Sequence, residues 1–134
     1  MENVEMESKE KRLNQEQVKI AMYVQLVEDI VRNLNKYLHD NKAKKIGLTE
    51  LKAVSMKSCY ALKQMAAKFN DAFFTEEEKT ELQKIEDEIS YEVIDGKVEK
   101  KFRWQYTKEL VDYLKILSNK ILERNGIARA DFYL

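Results

Sequence analysis

No proline interrupts the 134 residues of this chain, and its three glycines stand far apart, at Gly47, Gly96 and Gly126. Proline breaks a helix interior by removing a donor and clashing with the preceding turn, and glycine weakens it by roughly 1 kcal/mol relative to alanine. A chain almost free of both is built to carry long helices. The glycines fall between or just after segments of helical periodicity, where a residue that ends an element belongs. The spacing therefore predicts an all-α bundle of about four helices.

Residues 1–12 are charged and show no apolar repeat, which marks a frayed lead-in; residues 13–134 form the single domain. From Leu13 to about His39, the apolar residues Ile20, Val24, Val27, Val31, Leu34 and Leu38 alternate four and three apart, a heptad-like seam on one helix face. Tyr23, Leu26, Ile30 and Tyr37 widen that stripe beyond what a two-stranded coiled coil needs, so a bundle core fits it better. Residues 40–45 break the pattern before Gly47. Thr49 is the expected N-cap of a second helix running to about Asn70, with a stripe of Leu51, Ser55, Ser58, Leu62, Met65 and Phe69, flanked by Val54, Ala61, Ala66 and Phe73.

Thr75 and Glu78 form a capping box that opens a third helix, whose inner face carries Leu82, Ile85 and Ile89. Glu76, Glu77, Glu78, Glu81, Glu86, Asp87 and Glu88 read as its solvated acidic face, with the early glutamates near the positive end of the helix dipole. Residues 91–104 change period: Asp95 and Gly96 stand between β-branched and aromatic residues, a signal for a short β-hairpin. The other reading of that stretch is a helix–loop–helix corner with Gly96 as the cap. A last helix runs from about Gln105 to Asn125 on Leu110, Leu114, Leu117 and Ile121, with Val111, Tyr113 and Leu122 beside them. Lys120 and Arg124 suit its carboxyl end and Gly126 follows as a left-handed cap. The apolar tail from Ile127 to Leu134 is expected to dock on the body of the domain.

Charged residues make up 36% and apolar residues 44% of the chain, too apolar for intrinsic disorder and suited to helices with solvated outer faces. Formal net charge is zero, so any hold on nucleic acid must come from a local patch. Cys59 stands alone, which excludes an internal disulfide and agrees with a reducing compartment. No apolar run is long enough for a membrane span and the first residues lack the core of a signal peptide, so a cytoplasmic protein without membrane contact is expected.

Two segments stand out as candidate contact surfaces. Lys97, Lys100, Lys101, Arg103, Trp104, Tyr106 and Lys108, with Phe102 among them, interleave cations and flat rings, the chemistry that neutralises phosphates and stacks on bases. Lys42, Lys44 and Lys45 would extend this patch if the first interhelical corner lies beside it. The alternative, which the zero net charge favours, is that Phe102, Trp104 and Tyr106 anchor the corner in the core while the lysines are only solvated. The second candidate is the surplus apolar face of the first helix, Tyr23, Leu26, Ile30 and Tyr37, which offers an interface for a protein partner and most simply for a second copy of the chain.

Arg32 and Asn33, followed by His39, resemble the signature of the HEPN ribonucleases, small all-helical domains, usually dimeric, in which arginine and histidine from paired motifs cleave RNA. The resemblance covers residues 32–39 and implies that His39 would move a proton while Arg32 steadies charge on the phosphate. It departs from the family in position, since the motif there lies late in the domain and here on the first long helix. Without that resemblance, His39 is a solvated residue near a helix carboxyl end. Cys59 reads as a small buried filler. The glutamates lack the Glu-x-x-His pairs of a di-metal bundle, so neither metal nor cofactor is expected and no catalytic set is assigned. The reading with most support is a non-catalytic adaptor or regulatory protein acting through protein contacts and self-association, with nucleic-acid binding through residues 97–108 as the alternative and a HEPN-like ribonuclease as a further one.

Overall fold

The structure, a computed structural model, describes residues 13–69, 73–90 and 101–132. Among the described residues it is all helical: α1 (Gln15–Lys42), α2 (Leu48–Phe69), α3 (Glu76–Ser90), α4 (Trp104–Arg124) and a single turn, α5 (Arg129–Phe132). The four long helices run alternately up and down around one core. Each packs on its neighbours in chain order, α4 closes the ring most extensively against α1, and α2 and α4 also meet across the diagonal. The lead-in, residues 1–12, and most of the hairpin stretch, residues 91–100, lie outside the described residues. Of the remainder of that stretch, residues 101–103 are irregular and Trp104 already opens α4.

The core follows the heptad reading closely. Ile20, Val24, Val27, Val31 and Leu34 of α1 face Leu110, Leu114, Leu117 and Ile121 of α4, all of them buried, and α2 adds Leu51, Leu62 and Met65 while α3 adds Ile85 and Ile89. Each such aliphatic side chain contributes about 1.5–3 kcal/mol when fully removed from water. Phe73 and Phe74, in the turn before α3, are buried with ring centroids 4.8 Å apart, and Tyr23 meets Phe73 edge-on at 6.1 Å.

The helix ends show where local chemistry differs from the reading of the sequence. Asn14 caps α1, a cap the sequence reading did not name: its side chain accepts from the Gln17 amide and the Gln17 side chain accepts from the Asn14 amide, a reciprocal box. The expected break at residues 40–45 comes later, since α1 continues to Lys42. The turn that ends it carries the paired bonds of a Schellman motif, Lys44 N–H to Asn41 O at 3.0 Å and Lys45 N–H to Asp40 O at 2.8 Å. Lys44 sits at φ 62°, the left-handed region that glycine usually fills, so Gly47 is not what terminates the helix. Gly47 instead precedes α2: its carbonyl accepts from Leu51 N–H at 3.2 Å and its own N–H donates to Glu50 at 3.0 Å. Thr49 is therefore inside the first turn rather than its N-cap.

At the far end, Gly126 at φ 67° holds the second Schellman turn. Its N–H donates to Glu123 O, and Ile127 N–H donates to Leu122 O, with Ile127 and Leu122 both buried as the motif's apolar clasp. The tail is thus docked at Ile127. Gln17 of α1 donates to Asn125 O at 2.9 Å, and Arg129 pairs with Glu28 at 2.8 Å, so the end of α4 is stitched to the start of α1.

One hydroxyl pair fixes the diagonal contact. Ser55 Oγ donates to Leu51 O and lies 2.8 Å from Thr107 Oγ1, all of it buried between α2 and α4. Small side chains let these helices approach, and their polar atoms then need each other.

Candidate functional site

A concavity lies between the last turns of α1 and the first turns of α4, beside the basic–aromatic segment. It has a volume of about 470 Å³ and is lined by Asn35, Leu38, His39, Asn41 and Lys42 from α1 and by Trp104 and Lys108 from α4. Antiparallel packing of the first and last helices is what brings these residues together. The floor is apolar at Leu38, which packs against the core, and one wall is the Trp104 indole, 46% exposed. Trp104 stays out of the core because Phe102 and Tyr106 fill that role: both pack on the core and meet edge-on with centroids 6.2 Å apart.

The basic–aromatic segment is thereby divided. Tyr106 and Phe102 anchor the corner, whereas Trp104, which the structural reading of the sequence placed in the core with them, stays exposed. Trp104 and Lys108 face the groove, while Lys101 and Arg103 are exposed just before it, Arg103 flanking α4 with an extended backbone. Lys97 and Lys100 lie outside the described residues. Lys42, from the first corner, joins Trp104 and Lys108 in the same groove, and Lys44 and Lys45 are exposed in the turn that follows it. Lys108 Nζ is held 2.9 Å from both carboxylate oxygens of Asp112 in an exposed pair. Such pairs are worth about 1 kcal/mol or less, so an incoming anion can replace Asp112. Asn41 donates to Ile46 O and serves the turn rather than the groove.

His39 lines this groove, and Arg32, two turns earlier on α1, is exposed and hydrogen-bonded to Asp29. The pair suggested by the HEPN resemblance therefore has one member in the groove and one engaged with a neighbouring carboxylate. Cys59 is only 4% exposed, and burial, reinforced by the negative charge of Glu86, pushes its thiol up to about 12. A thiol that protonated is a packing group and a poor nucleophile. Among the described residues no cluster of three or more histidine, cysteine, aspartate or glutamate side chains could hold a metal ion.

The chain matches no known protein-family model, no curated protein and no solved structure. Among the described residues no helix is long and apolar enough to cross a membrane.

The second candidate surface, the outer side of α1, is displaced from where the sequence put it. Tyr23, Ile30 and Tyr37 are half-buried, the first two packed on the core, and only Leu26 of the expected four is open to solvent. Val18 and Met22 take their place. With Leu26 they recur every fourth residue, 41%, 62% and 46% exposed, and make an apolar ridge along α1 that continues towards Ile30. The four-residue recurrence was available in the sequence, but the heptad seam beside it draws the same helix into the core and conceals a second stripe.

A correction applies to the acidic face of α3. Glu78 is 6% exposed, not solvated. The Arg124 guanidinium donates to both its oxygens, at 2.9 and 2.8 Å, and to Phe73 O at 3.0 Å, while Thr75 N–H donates to Glu78 at 3.0 Å and the Thr75 hydroxyl accepts from Glu78 N–H at 3.1 Å. Burial works to raise the Glu78 carboxyl, and the bonds from Arg124 and Thr75, with the charges of Arg124 and Lys120, outweigh it and hold it below its ordinary value. This carboxylate staples α3 to α4 and is structural. Lys63 and Glu86 pair at 2.7 Å beside a second groove of about 420 Å³ between α2 and α3, lined by Leu62, Ala66, Phe74 and Leu82.

Proposed function

We propose that this protein is a non-catalytic interaction module that works through the outer ridge of α1, and that the ridge is covered by a second copy of the chain. The observation that carries this reading is the run Val18, Met22 and Leu26, three large apolar side chains exposed on successive turns of the longest helix. Water is a poor neighbour for a continuous apolar stripe, and aligned exposed residues of this kind mark contact surfaces more often than scattered ones do. A two-fold pairing lets one ridge serve both partners, so a single surface satisfies itself. The helix that bears the ridge is held rigidly from behind by α4 and α2, which presents it without an ordering cost on association. As an adaptor or regulatory protein, the dimer would act by what its remaining surface recognises.

Sedimentation equilibrium on the whole chain tests this. A dimer at micromolar concentration is expected, and Met22→Asp with Leu26→Asp should convert it to a monomer while the helical circular dichroism is unchanged. A wild-type chain that stays monomeric at about 100 μM, a concentration at which even an 8 kcal/mol association would be well populated, refutes the self-association.

A further inference from the structure

The groove between α1 and α4 combines an exposed indole, two lysines from segments far apart in sequence, and an apolar floor with amide and imidazole groups at hand. Its volume of about 470 Å³ lies in the range of small-ligand clefts, roughly 300–1,000 Å³. Lys101 and Arg103 add positive charge at one edge, and Lys44 and Lys45 add it where the chain leaves α1. Asp112 is the carboxylate that engages a groove cation, and it does so in an exposed pair. Among the described residues no salt bridge ties Lys42, Lys101 or Arg103 to a carboxylate, so these cations face solvent at the mouth of the groove.

We propose that this groove binds a nucleotide unit, its base stacked on the Trp104 indole over Leu38 and its phosphate held between Lys42 and Lys108. The indole supplies a sequence-tolerant stacking face, worth about 1–3 kcal/mol per base in single-strand binders. The lysines supply the phosphate contacts. Asn35 and His39, both in the lining, are placed to hydrogen-bond base or sugar. A nucleotide within a single strand and a free mononucleotide share this chemistry. The apolar ridge of α1 plays no part in it, so this proposal and the self-association stand or fall separately.

The chain holds a single tryptophan, which makes Trp104 its own reporter. The whole protein is titrated with an oligothymidylate of about 12 nucleotides and, separately, with thymidine monophosphate, at about 50 mM and about 200 mM salt, with indole fluorescence as readout. Saturable quenching is expected. With the oligonucleotide it should weaken with salt, and Lys42→Ala and Lys108→Ala should each reduce the log–log salt slope by about 0.7. Asp112→Asn, which frees Lys108 and removes a repelling charge, should tighten binding several-fold, an effect that a purely structural Asp112 would not produce. Quenching by the oligonucleotide alone assigns the groove to a strand, and quenching by the monophosphate at similar concentration assigns it to a free nucleotide. Trp104→Ala, at an exposed position, should keep the helical spectrum and lose affinity for a dye-labelled oligonucleotide followed by anisotropy. Absence of quenching by both probes at the lower salt, or quenching unaltered in the double lysine variant, overturns the proposal.

Discussion

Replacing Arg124 by methionine isolates the contribution of the one deeply buried carboxylate described in this fold. Methionine keeps much of the aliphatic stem and discards three hydrogen bonds of 2.8–3.0 Å, two to Glu78 and one to Phe73 O. Breaking a fully buried ion pair costs about 3–5 kcal/mol, most of it the penalty of the abandoned charge. The Arg124 side chain is 33% exposed, so water reaches part of the vacated site and a loss of about 2–3 kcal/mol is expected. For a domain of this length that corresponds to a fall in Tm of roughly 8–12 °C.

The pH dependence gives a sharper test, because its sign reverses. In the native chain the Glu78 carboxyl sits below its unfolded value, near 4.3, so its stabilisation is complete above that pH and drains away as pH falls through the folded value. Without Arg124, burial prevails and lifts the carboxyl above its unfolded value. Its contribution then becomes more favourable as pH falls towards 4.3, because the folded variant takes up the proton first. Urea unfolding followed at the helical circular dichroism band, from pH 7 to about pH 3, should therefore show the gap between wild type and Arg124→Met closing on acidification. Adding Glu78→Gln should recover about 1–2 kcal/mol of the loss at pH 7. A deficit that is independent of pH, or a double variant as unstable as the two single losses summed, would refute the staple.

Four further outcomes follow from the geometry. Lys44→Gly relieves a left-handed lysine and should raise stability by about 1 kcal/mol in the same urea assay, whereas Gly126→Ala should lower it by about as much. Ser55→Ala leaves the Thr107 hydroxyl buried without its partner and should cost about 1–3 kcal/mol; Thr107→Val leaves Ser55 its bond to Leu51 O and should cost less. Ser118 Oγ is buried with no hydrogen-bond partner among the described residues, so Ser118→Ala should be neutral or stabilising by up to about 1 kcal/mol in thermal melts. Because burial holds the Cys59 thiol near 12, its reaction with a disulfide reagent at neutral pH should track unfolding and accelerate sharply in urea; rapid labelling of the folded chain would contradict its placement.

What could be read from residues alone was whatever repeats or caps locally. The seam from Ile20 to Leu34 announces a buried face because each member repeats the previous one's environment a turn later, and Thr75 with Glu78 announces a helix start because its partners are three residues apart. Long-range pairing left no such trace. Glu78 looked like one more glutamate in an acidic run, since the arginine that neutralises it lies 46 residues onward. The end of α1 was misplaced because a lysine, not a glycine, takes the left-handed position. Trp104 and Lys108 were legible as a basic–aromatic segment, yet their meeting with His39 and Lys42 depends on which helices are neighbours, and periodicity does not say that.

The largest helix–helix contact joins the two long helices most distant along the chain, α1 and α4. Contacts of such wide sequence separation raise contact order and slow folding, because the loop entropy must be overcome before the contact can repay it. On a ribosome, the buried face of α1 would be synthesised well before α4 could cover it, leaving Val24, Val27 and Leu34 without their principal neighbours until α4 has emerged. A chain cut short within α4 would therefore leave the apolar seam of α1 half dressed, a species fit for aggregation or for a chaperone and not for partial function.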